Sequence, residues 1–288
     1  MNPHGDDRLI AIDSDGSVFP NMPAKFDVMR DTTIEHFALR PIAAMAEEVI
    51  RFVNLGGRSR GSHRLTGLVQ IVGFLRDRLG PGPLPVELPR LDSLRRFMAA
   101  RGAWTNETLA AAVAETGDPE LARILEWSRD FSARLARTGR MPPVPEAVRA
   151  MTALRDQARL VVVSQAPEDQ LLAEWAEAGI TGLVARIGGS DKGPKPAQIR
   201  AALDEAGTPP GRAAIIGDAP GDLSAARETG IAFLPIVPGR EGASWNRLID
   251  EAWPRFLAGT FEGAYAGALA NDFLAALPER PPWSPLRD

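Results

Sequence analysis

LIAIDSDGSVFP (residues 9–20) is an apolar run that ends in two aspartates one residue apart, followed by a glycine. With Arg8 in front, RLIAID (8–13) is rich in β-branched residues and closed by Asp and Gly, the pattern of a buried strand. Side chains two apart in extended backbone point to the same side, so Asp13 and Asp15 present paired carboxylates at the carboxyl end of that strand. Taken alone, Asp-x-Asp-Gly is also an ordinary turn. The residues at the ends of the other strands decide between the two.

Downstream, SVFPNMPA (17–24) reads as a Pro-rich hinge, and the pattern then becomes helical. IAAMAEEVIRFVNL (42–55), HRLTGLVQIVGFLRDRL (63–79), LDSLRRFMAAR (91–101) and ELARILEWSRDFSARLAR (120–137) all repeat apolar residues at helical spacing, with Asp92 and Asn106 as expected N-caps. PGPLPVELP (81–89) reads as a loop, and TGRMPPVPE (138–146) as a second hinge. Helix and strand then alternate: helices at 145–158, 168–179, 196–207 and 221–230 precede strands at 159–164, 182–189, 212–218 and 231–237. This is the signature of βαβ units in a parallel sheet. Two amphipathic helices, near 243–258 and 262–276, close the chain before a wrapping tail, PERPPWSPLRD. The expected architecture is an α/β core of residues 1–19 and 144–288, with an all-helical domain of residues 20–143 inserted. The first strand then returns to the middle of the later sheet, and ligand sites gather at the strands' carboxyl ends.

Composition narrows the chemistry. The 288 residues include no cysteine, which excludes disulfides, thiolate catalysis and zinc–cysteine sites. Three scattered histidines (His4, His36, His63) do not suggest a histidine metal centre. A net charge of −4 gives no pull toward nucleic acid or anionic membrane, and no stretch approaches a membrane span. MNPHGDDR at the start has no apolar segment after positive charge, so a soluble cytoplasmic protein is expected. Only three lysines (Lys25, Lys192, Lys195) stand against thirty arginines, so a lysine at a strand end is worth notice.

Four strand-end motifs occur in order: IDSDGSVF, then LVVVS ending at Ser164, then KGPKP with Lys195, then IIGDAPGD with Asp218 and Asp222. This set resembles the haloacid dehalogenase superfamily, most of whose members are Mg²⁺-dependent phosphatases, and its helical C1-type caps occupy the place of the insert here. GDAPGDLSAARETGIAFLPIVPGREGASW and the helices after it resemble one subgroup of that superfamily. The resemblance implies a Rossmann-like core, a nucleophile at Asp13, a general acid and base at Asp15, a phosphate-binding hydroxyl at Ser164 and a charge-balancing lysine at Lys195. It implies Mg²⁺ held by Asp13, the backbone carbonyl of Asp15, Asp218 and Asp222, the last directly or through water. Lys192 is the alternate lysine. Bland roles stand beside these: Asp222 as an N-cap, the two lysines as solvated loop charges.

The residue types suit that chemistry on their own terms. Phosphoryl transfer asks for positioning and neutralised charge. An aspartate can attack phosphorus, and a neighbouring carboxylic acid can protonate the leaving oxygen. Two carboxylates so close repel each other, and a hard oxygen-liganded cation relieves that. Gly16 lets backbone amides approach an anion. Family dehalogenases lack a carboxylate at the position of Asp15, and the family's phosphonate hydrolases also replace it, so the resemblance points to a phosphatase for a small phosphorylated metabolite. A phosphomutase using the same intermediate, and a catalytically silent binding protein, stay open as alternatives. In the insert, NLGGRSRGSHR (54–64) offers Arg58, Arg60, His63 and Arg64 as a candidate anion-binding loop, against the plainer reading of a solvated helix–helix turn. Lys25 and His36 are weaker candidates.

Overall fold

The computed structural model describes residues 8–82, 85–102 and 104–284. The readings of the first seven residues, of Pro83 and Leu84 within the expected loop, and of the last four residues of the tail lie outside these. The chain divides into two compact units, Met1–Met22 with Arg140–Pro278 and Pro23–Gly139 with Glu279–Asp288.

The first unit is built on β1 (Leu9–Ile12), whose four residues are wholly buried. The chain then enters the second unit, which is helical among the described residues: α1 (Met22–His36), α2 (Ala43–Arg51), α3 (Arg64–Leu79), α4 (Asp92–Ala100), α5 (Asn106–Thr116) and α6 (Pro119–Arg137). α1 starts inside the stretch expected to be a hinge, because Pro23 takes a first-turn position, where its missing N–H costs nothing. α2 runs on into a π-helical turn, Phe52–Gly56. Leu65, Leu68, Ile71, Val72 and Leu75 of α3, with Trp127, Ile124 and Leu121 of α6, form this unit's core.

Two expected caps move by one residue. Thr105, not Asn106, caps α5, exchanging hydrogen bonds with Thr108. Asn106 is instead drawn inward as an acceptor for Arg64 and Ser128. Leu91, not Asp92, precedes α4, in left-handed backbone at φ 62°. The amides of Leu91, Ser93 and Leu94 at this helix start go to the Glu120 carboxylate.

Back in the first unit, β2 (Arg159–Val163), β3 (Arg186–Gly188), β4 (Ala213–Gly217) and β5 (Ala232–Pro235) join β1 in a five-stranded parallel sheet, in the order β3-β2-β1-β4-β5. β1 is central: Ile12 lies opposite Val162 on one side and Ile216 on the other. Between the strands run α7 (Pro145–Leu154), α8 (Glu168–Glu177), α9 (Lys195–Ala206) and α10 (Pro220–Thr229). α11 (Glu241–Arg247), a second π turn, α12 (Trp253–Leu257) and α13 (Ala264–Ala275) come after β5. Alternate strand residues serve opposite faces. Ile10, Ile12, Leu160, Val162, Ala214 and Ile216 pack with Met151, Trp175 and Trp245, while Leu9, Ala11, Val161, Val163 and Ile215 pack with Ile199, Leu203 and Phe273. Burial on both faces explains the continuous apolar runs of the sequence. The Rossmann-like α/β core and its helical insert are therefore as expected, and no described helix is long and apolar enough to cross a membrane.

The tail departs from the expected boundary at its end. Trp283 joins the helical unit's core, edge-on to Phe52 and Phe74 at centroid separations of 5.6 and 6.5 Å, with the Arg78 guanidinium 4.8 Å from its ring centre. A large amphipathic ring with two aromatic neighbours and a cation gains more there than in solvent. The chain thus crosses between the units three times rather than twice. Trp283→Ala is expected to destabilise the helical unit by about 1–3 kcal/mol, read from urea or guanidinium midpoints; an unchanged midpoint would show that the tail adds nothing to that unit.

Candidate active site

The strand β1 ends where its chain must turn away from the sheet, and the turn is tightly specified. Ser14 C=O accepts from the amides of Val18 and Phe19, and the amide of Gly16 donates to Phe19 C=O at 2.8 Å. Gly16 sits at φ 77°, a conformation that glycine adopts without the steric cost a side chain would add. Two tryptophans hold this turn from helices behind it: Trp175 Nε1 donates to Ser14 Oγ at 3.0 Å, and Trp245 Nε1 to Ser17 C=O at 2.9 Å. Asp13 is thereby left buried at the strand end, at 6 % exposure, and Asp15 half-buried beyond it.

Asp13, Asp218 and Asp222 converge. Each offers a carboxylate oxygen within 4.8 Å of the others, and all three are buried. Lys195, at the start of α9, places its Nζ 3.0 Å from Asp13 Oδ1 and 2.5 Å from Asp222 Oδ1. Lys192 lies outside this cluster and pairs with Glu168 at 3.5 Å with more than half its side chain exposed. Asp222 does two jobs. Its Oδ1 takes the lysine, and its Oδ2 accepts from the amide of Ala219 at 3.0 Å, closing the first turn of α10. Asp222 thus does serve the helix start, but from the third helical position rather than as the N-cap. Ser17 Oγ donates to Asp218 Oδ1 at 3.4 Å.

The electrostatics follow from burial. Desolvation pushes the Asp13 carboxyl well above its ordinary range. The Lys195 ammonium opposes this, and Asp222, Asp218 and Asp15 add to it. Lys195 is itself held above the usual lysine range: burial works against its charge, but Asp13 and Asp222 outweigh that. Three buried carboxylates against one ammonium leave the cluster short of positive charge. All-oxygen donors with a net negative balance suit a hard divalent cation such as Mg²⁺, so the residues present fit that group.

Ser164 ends β2 at 1 % exposure, and its Oγ accepts from the amide of Ala166 at 3.2 Å. Its carbonyl is one of three, with those of Gly189 and Gly193, that accept from the buried Gln198 Nε2 at 2.8–3.1 Å. Gln198 thus ties the loop after β2 to the loop that leads into Lys195. A polar residue on the buried side of α9 is the signal that could have found it.

Four of the insert's candidates, His63, Arg64, Arg60 and His36, are engaged within their own unit. His63 Nδ1 accepts from the amide of Leu65, capping α3, and its ring lies edge-on to Trp104. Burial, together with the Arg64 charge, pushes its imidazole down to about 4, so it is neutral at pH 7. Arg64 donates to Ser128 Oγ at 2.6 Å and Asn106 Oδ1 at 3.1 Å. Arg60 is buried and donates to Leu55 C=O. Arg58 is exposed. His36 pairs with Asp130 at 3.0 Å, and Lys25 is half-buried in α1.

The comparisons with known proteins agree with this architecture. The model of the haloacid dehalogenase-like hydrolases matches residues 8–230, most of the chain and all four strand-end motifs. The chain belongs to that family of hydrolases. Among solved structures, a predicted phosphoglycolate phosphatase from Haemophilus somnus 129PT is 16 % identical, with a TM-score of 0.50 over 81 % of this chain and 86 % of that one. A haloacid dehalogenase-like family protein from Streptococcus pneumoniae is 17 % identical, at 0.46 over 83 % and 90 %. The L-2-haloacid dehalogenase of Xanthobacter autotrophicus is 18 % identical, at 0.42 over 91 % and 87 %. At 16 % identity the first of these likenesses concerns the fold alone. No curated protein matches the chain.

Two variants probe the cluster. Gly217 faces Asp222 so closely that an added Cβ would overlap its carboxylate carbon. Gly217→Ala is therefore expected to displace Asp222 and cost about 1–3 kcal/mol of stability. Lys195→Met strands two buried carboxylates, with an expected loss of about 3–5 kcal/mol at pH 8. A buried Asp13 with a raised folded-state pKa binds more protons folded than unfolded, so stability of metal-free Lys195→Met rises as pH falls from 8 toward the unfolded aspartate value near 4. The check is metal-free denaturant unfolding across that range; a loss that does not shrink toward acid pH contradicts the assigned cause.

Proposed function

We propose that the protein is a Mg²⁺-dependent phosphatase that hydrolyses a small phosphorylated metabolite through an aspartyl phosphate on Asp13. The observation that carries this reading is the Lys195 bridge between Asp13 and Asp222, with a second carboxylate, Asp15, two residues beyond the first. A carboxylate at the place of Asp15 favours ester hydrolysis over dehalogenation, because a halide leaves without a proton and an alkoxide does not.

Lys195 aims Asp13 and favours its ionised form, against the pull of its own desolvation. The Asp13 carboxylate oxygen attacks phosphorus, and the bond from phosphorus to the ester oxygen breaks. Asp15 gives that oxygen its proton, so the alcohol leaves neutral. Asp15, now a carboxylate, takes a proton from a water that attacks the phosphoryl group; inorganic phosphate departs and Asp13 is restored. Ser164 is suited to donate to a phosphoryl oxygen; the Gly16 amide is committed to Phe19 C=O instead, and Gly16 serves by keeping the turn free of a side chain. Asp13, Asp218 and the backbone carbonyl of Asp15 would hold Mg²⁺, which when bound offsets the charge of carboxylates and phosphate. Asp222 also fixes Lys195, and would serve Mg²⁺ directly or through water.

The test is a panel of phosphate monoesters assayed for released inorganic phosphate. Activity is expected with Mg²⁺, is abolished by EDTA and restored by added Mg²⁺, and falls at least about 10³-fold in Asp13→Asn and about 10²- to 10⁴-fold in Asp15→Asn. Full activity in EDTA or in Asp13→Asn overturns the mechanism, and a panel that yields isomerised ester instead of free phosphate makes the protein a mutase.

A further inference from the structure

Asn21 is the residue before α1, just ahead of the point where the chain leaves the first unit. Its amide nitrogen donates to Asp15 Oδ1 at 2.6 Å and lies 3.4 Å from Glu174 Oε1 on α8. Its amide oxygen is buried with no hydrogen-bond partner. One NH₂ group thus spans two carboxylates, one of them the residue assigned above to move a proton.

We propose that Asn21 is a positioning residue for Asp15, braced by Glu174. The inference rests on the phosphatase reading of Asp15. A half-buried aspartate has two side-chain torsions to fix, and misplacing a proton donor by about 1 Å costs about 10²-fold in rate. A short hydrogen bond to Oδ1 fixes both torsions. The brace comes from α8 on the turn itself: Glu174 reaches Asn21, and its neighbour Trp175 reaches Ser14. The buried, partnerless oxygen of Asn21 carries a desolvation penalty that a residue there only for packing would not need to bear. A leucine or methionine would fill the space without that penalty, but neither can hold Asp15.

Asn21→Asp keeps the shape of the side chain and removes both donors. Leaving-group dependence reads the effect: kcat/KM for an alkyl phosphate, whose alkoxide needs a proton, is expected to fall about 10- to 100-fold. That for 4-nitrophenyl phosphate, whose phenolate leaves unaided, should change less than about 3-fold. Asn21→Ser, which returns one donor, is expected to recover part of the loss. Crystal structures of wild type and Asn21→Asp give a readout independent of turnover: Asp15 should hold one rotamer against Asn21 in the first and leave it in the second. Equal loss on both esters, or an unmoved Asp15 in the variant, overturns the proposal. A wild type that hydrolyses neither ester counts against the phosphatase reading, and the Asp15 rotamer then still decides the role of Asn21.

Discussion

One ammonium between two buried carboxylates organises the first unit. Asp13 and Asp222 offset the cost of burying the Lys195 charge, and Lys195 in turn opposes the desolvation of Asp13. The three come from β1, from the start of α9 and from the start of α10, so the bridge requires those strand and helix ends to meet. The central place of β1 makes that meeting possible, since its end lies beside the ends of both β2 and β4. Gly217 can only be glycine because Asp222 lies against it, and Gln198 holds the loop that delivers the lysine. The surrounding detail keeps that cluster in register.

Much of this was legible in the sequence, for a reason specific to parallel sheets. Strands buried on both faces read as unbroken apolar runs, and the residue after each run sits at the sheet's carboxyl edge. Asp13, Ser164 and Asp218 could be located that way, and Lys195 from the loop that follows the next strand. The choice of Lys195 over Lys192 has a clear physical counterpart: one reaches Asp13 and the other the half-buried Glu168. The supporting residues were not legible. Asn21 lies in a stretch whose prolines read as a hinge, and Trp175 and Trp245 look like any core aromatic on a helix face. Their meaning depends on hydrogen bonds over sequence separations of 153 to 228 residues, which local pattern does not encode.

The helical insert is harder to read from sequence. Arg58, Arg60, His63 and Arg64 sit among glycines and look like a flexible cationic loop. Arg64 and His63 instead satisfy buried groups at the joins of α3, α5 and α6, and the neutral imidazole has no charge to offer an anion. Charge density in sequence does not distinguish solvent-facing guanidinium groups from those that knit helices together. The tail misleads for a related reason, since its proline-rich composition hides the one aromatic, Trp283, that decides where it packs.

The position of β1 also bears on how the chain reaches its native state. Its partners begin at residues 159 and 213, so the first strand made waits longest for its pairing, while the helical segment between is a contiguous run rich in local contacts. Local helical contacts form far faster than pairings across such loops. During synthesis, LIAI would therefore wait unpaired until the strand that begins at residue 159 has emerged, and with one apolar edge open until the strand that begins at residue 213 has followed. The aspartates and the arginine flanking it are the charges available to keep that waiting strand from pairing elsewhere.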